Sequence, residues 1–272
     1  MIVVLALLGT VGVGAFLWLR SRGATEPIRG QERCVASAGG RSVAVDLDQA
    51  HFASIIVGVS VRRGLAPRAA SIALATVYQE TGIRNLDYGD RDSVGLFQQR
   101  PSQGWGTVEQ LQDPYYATGK FYDALVEVDG WESGDINDVA QRVQRSGYPE
   151  AYRDHEADGR VLASVLTGSS PAALTCLEWQ EEAGDVDALV ARMQKALGKV
   201  DHTVEGGAVT VYAGRAKFAW AYGHHAVANA ARYGVREVTV SDRTWRTDVT
   251  ELPGWESAAA PVARDQVTIT LR

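Results

Sequence analysis

One glutamate is set apart by its place in the sequence. Ala69, Ile72, Ala73, Thr76, Val77 and Glu80 fall at offsets 0, 3, 4, 7, 8 and 11, so a carboxylic acid closes an otherwise mainly apolar helical stripe. A carboxyl drawn out of water by such a stripe loses solvation of its charged form. It then keeps its proton to higher pH and can hand it to a glycosidic oxygen. The same residue also reads as a glutamate at a frayed helix end, paired with Arg84 one turn on. Periodicity alone weighs the two equally.

Hydrolysis by two carboxylates would need a second acid. Asp90 and Asp92, ten and twelve residues after Glu80, could be brought across a cleft by a turn to activate water. They could equally cap and bend the loop around Arg91. A calcium frame begun at Asp90 would put Val94 at its fifth position and Pro101 at its twelfth, which offers too few oxygens. His224 and His225 are adjacent in an alanine-rich stretch, so on a helix they face about 100° apart and cannot share one ion. They read as a packed or surface pair, and neither a metal nor a cofactor is expected.

Start and stop signals supply the frame for these side chains. Asp46 and Asp48 can cap a helix running to about residue 63, with Gly64 as its stop. Pro67 opens the helix that carries Glu80, and Gly82 ends it. Asp113-Pro114 opens a third, with Ala117, Phe121, Ala124, Leu125 and Val128 on one face. A fourth ends near Gly147, and a fifth runs from Pro149 to about 167. No alternating strand pattern stands out between 46 and 176, so this region is expected to be mostly α. Beyond it, 185–197 reads as a helix, 208–212, 236–240 and 266–271 as Val/Thr/Ile-rich strands, and 218–233 as an alanine-rich helix closed by Gly234. The expected fold class is a helical domain followed by a small α/β or α+β domain, with one N-terminal transmembrane helix.

At 272 residues and 46% hydrophobic, the chain can bury two cores. A net charge of −6 and the lack of any Lys/Arg block exclude nucleic acid as a partner. Residues 2–19 carry no charge and reach the lower length limit for a membrane span, so 1–19 reads as an anchor, with a cleaved signal segment as the alternative. Residues 20–45 read as a Gly/Arg/Ser/Ala-rich tether. Arg20 and Arg22 follow the apolar run, which by the positive-inside rule keeps the rest cytoplasmic. Cys34 and Cys176, the only two cysteines, bracket the helical region as a domain-closing pair would. Spacing alone leaves two unrelated buried thiols equally open.

Residues 79–103 resemble a known family. Gln79-Glu80-Thr81, then Ser93, then Gly95-Leu96-Phe97-Gln98 follow the pattern of the lysozyme and lytic transglycosylase superfamily, in which a helix ends in Glu-Ser or Glu-Thr before a polar loop, a Ser and Gly-Leu-Met/Phe-Gln. The run from Arg84 to Pro101, continued by Ser102-Gln103-Gly104-Trp105-Gly106, is similar to an actinobacterial extracellular branch. The resemblance covers roughly residues 34–176. It implies Glu80 as catalytic acid, Ser93, Gln98 and Gln99 lining a sugar cleft, and Tyr115 or Tyr116 adding a stacking or hydroxyl contact. Where the family has Ala-Tyr-Asn-Ala-Gly, with a tyrosine that supports the acid, this chain has Gln144-Arg145-Ser146-Gly147-Tyr148. Tyr148 is the substitute available there.

The implied activity is cleavage of peptidoglycan strands between N-acetylmuramic acid and N-acetylglucosamine, by a muramidase or lytic transglycosylase route. The alternative is a catalytically silent lysozyme-like module that binds cell wall or serves as an envelope scaffold. With that identity the cysteines read as a disulfide. The location becomes a cell membrane, crossed once through residues 2–19, with the domains at 46–176 and 183–272 outside. Residues 219–245 are faintly similar to zinc D-Ala-D-Ala carboxypeptidase-like domains, but Gln266-Val267-Thr268 stands where the terminal His-x-His would be. The second domain therefore reads as a wall-binding or partner-binding module, with Trp220, Trp245 and Trp255 in its core.

Overall fold

The computed structural model describes residues 31–179 and 183–272. The described chain begins with a hairpin of β1 (Arg33–Ala38) and β2 (Arg41–Val45). Gly39 and Gly40, at φ 59° and 77°, supply the two left-handed residues that a tight hairpin turn needs. Residues 33–45, expected as part of a tether, are thus a strand pair in which Cys34, Ala36, Val43 and Val45 face the core. After the helices, β3 (Leu174–Leu177) pairs with β1 in the order β2-β1-β3, setting Cys34 opposite Cys176. The two cysteines are joined as a disulfide across these neighbouring strands.

Between β2 and β3 lie α1 (Leu47–Arg62), α2 (Pro67–Thr81), α3 (Val108–Gln112), α4 (Pro114–Val126), α5 (Ile136–Gln144) and α6 (Glu156–Leu166). A 3-10 turn over Ala151–His155 leads into α6. Asp46 and Gln49 form a reciprocal capping box on α1, and Asp113 caps α4. Gly82, at φ 63°, ends α2 in the left-handed conformation that a side chain would resist. Gly159 lets α6 close on α2, since a Cβ there would lie 2.9 Å from the Ser71 carbonyl oxygen and 3.0 Å from the Ala75 nitrogen.

The remainder comprises α7 (Val186–Leu197), β4 (Asp201–Glu205), β5 (Ala208–Tyr212), α8 (Ala216–Ala228), α9 (Ala230–Tyr233), β6 (Val235–Val240), β7 (Arg243–Arg246), β8 (Trp255–Ser257) and β9 (Gln266–Leu271). Its six strands form one wholly antiparallel sheet, β4-β5-β9-β6-β7-β8. Residues 31–272 make one compact unit with a continuous hydrophobic core. Helix α8 packs on β6 and β9 and also meets α1 and α6, and the indoles of Trp245 and Trp255 donate to Thr175 Oγ1 and the Leu174 carbonyl of β3.

The expected fold class is therefore corrected in two respects. The chain combines its helices with two antiparallel sheets, because short strands of small residues such as Cys34, Ala36, Val43 and Val45 pair across the ends of the helical region. Among the described residues no helix is long and apolar enough to cross a membrane. The span expected at 2–19 lies outside the described residues, so the single-pass membrane location has no support among the described residues.

Candidate active site

Glu80 sits in the last turn of α2, half-buried as its stripe requires, below Ala73, Thr76 and Val77, which are fully buried. Its Oε1 accepts two hydrogen bonds, from the Tyr152 hydroxyl at 2.7 Å and from Gln144 Nε2 at 3.2 Å. No side chain of the described residues donates to Oε2. Gln144 also donates to the Phe97 carbonyl at 2.8 Å, so the end of α5 is tied both to the acid and to the loop that follows α2. Burial first, and the facing Glu80 charge second, push the Tyr152 phenol well above its ordinary range, so the hydroxyl stays a donor wherever the protein is folded. Arg84, the rival partner for Glu80, pairs with Asp46 instead.

The loop after α2 is pinned from several sides. The Thr81 hydroxyl lies 3.0 Å from the carbonyls of both Val77 and Leu96, and Gly95 N donates to Leu86 O at 2.7 Å. Val94 and Gln99 bridge through both backbone bonds. Gly95 has φ 78°, and a Cβ would stand 2.4 Å from the Leu111 carbonyl oxygen, so only glycine fits. Phe97 is fully buried and stacks on Phe121 with ring centres 4.5 Å apart.

A groove of about 420 Å³ opens beside Glu80. Glu80, Asp90, Ser93, Gln98, Gln99 and Tyr148 all line it. It shares Gln103, Trp105, Gln144 and Arg145 with a larger lobe of about 960 Å³, so the two lobes adjoin. Gln98 is held by the Tyr88 carbonyl at 3.1 Å, and Gln99 donates to the Ala117 carbonyl at 3.2 Å. The Tyr148 ring is 78% exposed at the rim; the phenol that meets the acid is Tyr152.

The aspartates, Tyr115 and Tyr116 take other places than expected. Asp92 does not line the groove. Hydrogen bonds from Ser102 and from the Arg100 guanidinium, the latter at 2.7 Å, hold its carboxyl below the ordinary carboxylate range, which makes it a poor proton acceptor. Asp90 borders the groove as an exposed side chain 3.8 Å from Arg91. Tyr115 is buried between α4 and α7, accepting from Arg192 at 2.8 Å under the Lys195 ammonium, so it is not a sugar contact. Tyr116 lies behind Trp105, whose carbonyl it approaches at 3.4 Å. His224 and His225 are buried, and His224 Nδ1 meets the Val165 carbonyl at 2.7 Å. Among the described residues no three His, Cys, Asp or Glu side chains converge to hold a metal.

Three contributors were missed by sequence reasoning: Tyr152, Gln144 as a donor to Glu80, and Trp105 in the wall between the lobes. Comparison with protein-family models gives no match for this chain, and comparison with curated proteins gives none either.

Proposed function

We propose that the chain cleaves peptidoglycan glycan strands, with Glu80 as the general acid that protonates the glycosidic oxygen between N-acetylmuramic acid and N-acetylglucosamine. The observation that carries this reading is the geometry of one carboxyl. Tyr152 and Gln144 hold Oε1, and among the described residues Oε2 has no side-chain partner in the wall of the groove. Fixing one oxygen with two donors sets the direction in which the other presents a proton, and a proton transferred from a fixed position is what general acid catalysis requires. The two adjoining lobes suit a polymer rather than a small molecule.

Of the two routes after protonation, the side chains favour the intramolecular one. Asp92 is occupied by Arg100 and Ser102, and Asp90 is a solvent-bathed carboxylate to which no side chain of the described residues donates a hydrogen bond at the groove. A two-carboxylate hydrolase needs its second acid fixed across from the first. In a lytic transglycosylase route the substrate's own acetamido and 6-hydroxyl groups complete the reaction, leaving a 1,6-anhydro end. Incubation of the full chain with purified peptidoglycan, followed by mass analysis of released material, tests the reading. Soluble muropeptides with anhydro ends support it, reducing ends move the chemistry to hydrolysis, and strands left intact after prolonged incubation refute it.

A further inference from the structure

The protein carries a net charge of −6, yet the larger lobe of the groove holds two guanidinium groups that form no ion pair among the described residues. Arg142, in the last turn of α5, and Arg145, its C-cap, both line that lobe, and Arg145 also lines the lobe of Glu80. The other arginines of the groove are spoken for: Arg100 lies 2.7 Å from Asp92, and Arg91 is 3.8 Å from Asp90. Arg142 makes a bond of 2.8 Å to the Asp129 carbonyl. Among the described residues neither Arg142 nor Arg145 comes within 4.0 Å of a carboxylate oxygen. Among the described residues Glu127 is the one acidic side chain in the lobe wall, so the lobe carries a positive surplus on a molecule of opposite net charge.

A guanidinium offers a planar fork of donors matched to a carboxylate, and it keeps its charge at any working pH. The lobe also begins at Gln144, the residue hydrogen-bonded to Glu80, so a group seated there belongs to the part of the strand next to the bond under attack. We propose that Arg142 and Arg145 form an anion-recognising subsite, which selects glycan strands whose sugars bear carboxylate substituents over neutral strands of the same backbone. This rests on reading Glu80 as a glycan-cleaving acid.

The test compares kcat/KM of the full chain on three strands: peptide-bearing peptidoglycan fragments, the same fragments with their carboxylates converted to methyl esters, and neutral N-acetylglucosamine oligomers. The wild-type preference for the acidic strand over its ester is expected to shrink about tenfold in Arg142→Gln/Arg145→Gln. Raising the salt concentration should shrink it in the wild type, which needs no variant to fold. A preference unchanged by salt and by the double substitution overturns the inference. If no strand is cleaved, the reading of Glu80 fails instead. The subsite is then judged by calorimetric affinity for the acidic and esterified fragments, and equal affinities overturn it.

Discussion

Replacing Tyr152 with Phe deletes one hydroxyl and leaves the buried ring in place, which makes it a clean probe of how Glu80 is held. The bond removed is 2.7 Å long and ends on a carboxyl oxygen. A hydrogen bond to a charged group contributes about 1.5–3 kcal/mol. With about 1.4 kcal/mol per tenfold in rate, the expected fall in kcat is roughly 10- to 100-fold if the bond persists through proton transfer. Gln144→Leu removes the longer bond of 3.2 Å to the same oxygen, and its effect should be several times smaller. Because both donors grip one atom, the double variant should lose less than the product of the two single losses. The assay is release of soluble fragments from peptidoglycan at saturating substrate, beside thermal melts showing that each variant is folded. A folded Tyr152→Phe protein with kcat within twofold of wild type would refute the positioning argument.

Other consequences are as direct. Asp92→Asn should keep more than about a tenth of wild-type turnover, since loss of a true general base costs roughly 10²- to 10⁴-fold; a deeper loss would restore Asp92 to the chemistry. Gly95→Ala should destabilise the fold by at least about 2 kcal/mol in denaturant titration, because its φ of 78° and the Leu111 carbonyl leave no room for a methyl group. Burial lowers the rings of His51 and His224 to about 4 and that of His225 to about 3, against about 6.5 in an unfolded chain. The unfolded state therefore binds more protons below pH 6.5. The stability these neutral rings contribute is complete above that pH and is lost as pH falls toward 4 and 3, at up to about 1.4 kcal/mol per pH unit for each ring. Denaturation midpoints at pH 7.5, 6 and 5 that coincide would contradict this.

The sequence made the helices legible because their ends carry explicit chemistry: Asp46, Pro67 with Gly82, and Asp113-Pro114 each act locally. Glu80 was legible for the same reason, through its position on a stripe of period 3.6. Strands β1 and β2 were not, because Cys34, Ala36, Val43 and Val45 alternate over only a few small residues, although Gly39-Gly40 was a hairpin signal. Tyr152 escaped because it sits in a 3-10 turn, where helical spacing breaks down, and its partner is 72 residues away. Asp92 is decided by Arg100 and Ser102 through the fold of the loop, which no spacing rule foretells. Tyr115 could have been placed correctly: it stands three residues before Thr118 and seven before Tyr122, both fully buried, on the inner face of α4.

The central claim concerns the one carboxyl at the end of α2, and the rate at which Glu80→Gln releases soluble fragments from peptidoglycan tests it most directly. The amide keeps the size of the side chain and can still be held by Tyr152 and Gln144, but it has no proton to give. Fragment release should fall by roughly 10²- to 10⁴-fold with strand affinity retained, whereas release at the wild-type rate from the folded Glu80→Gln protein would contradict the account.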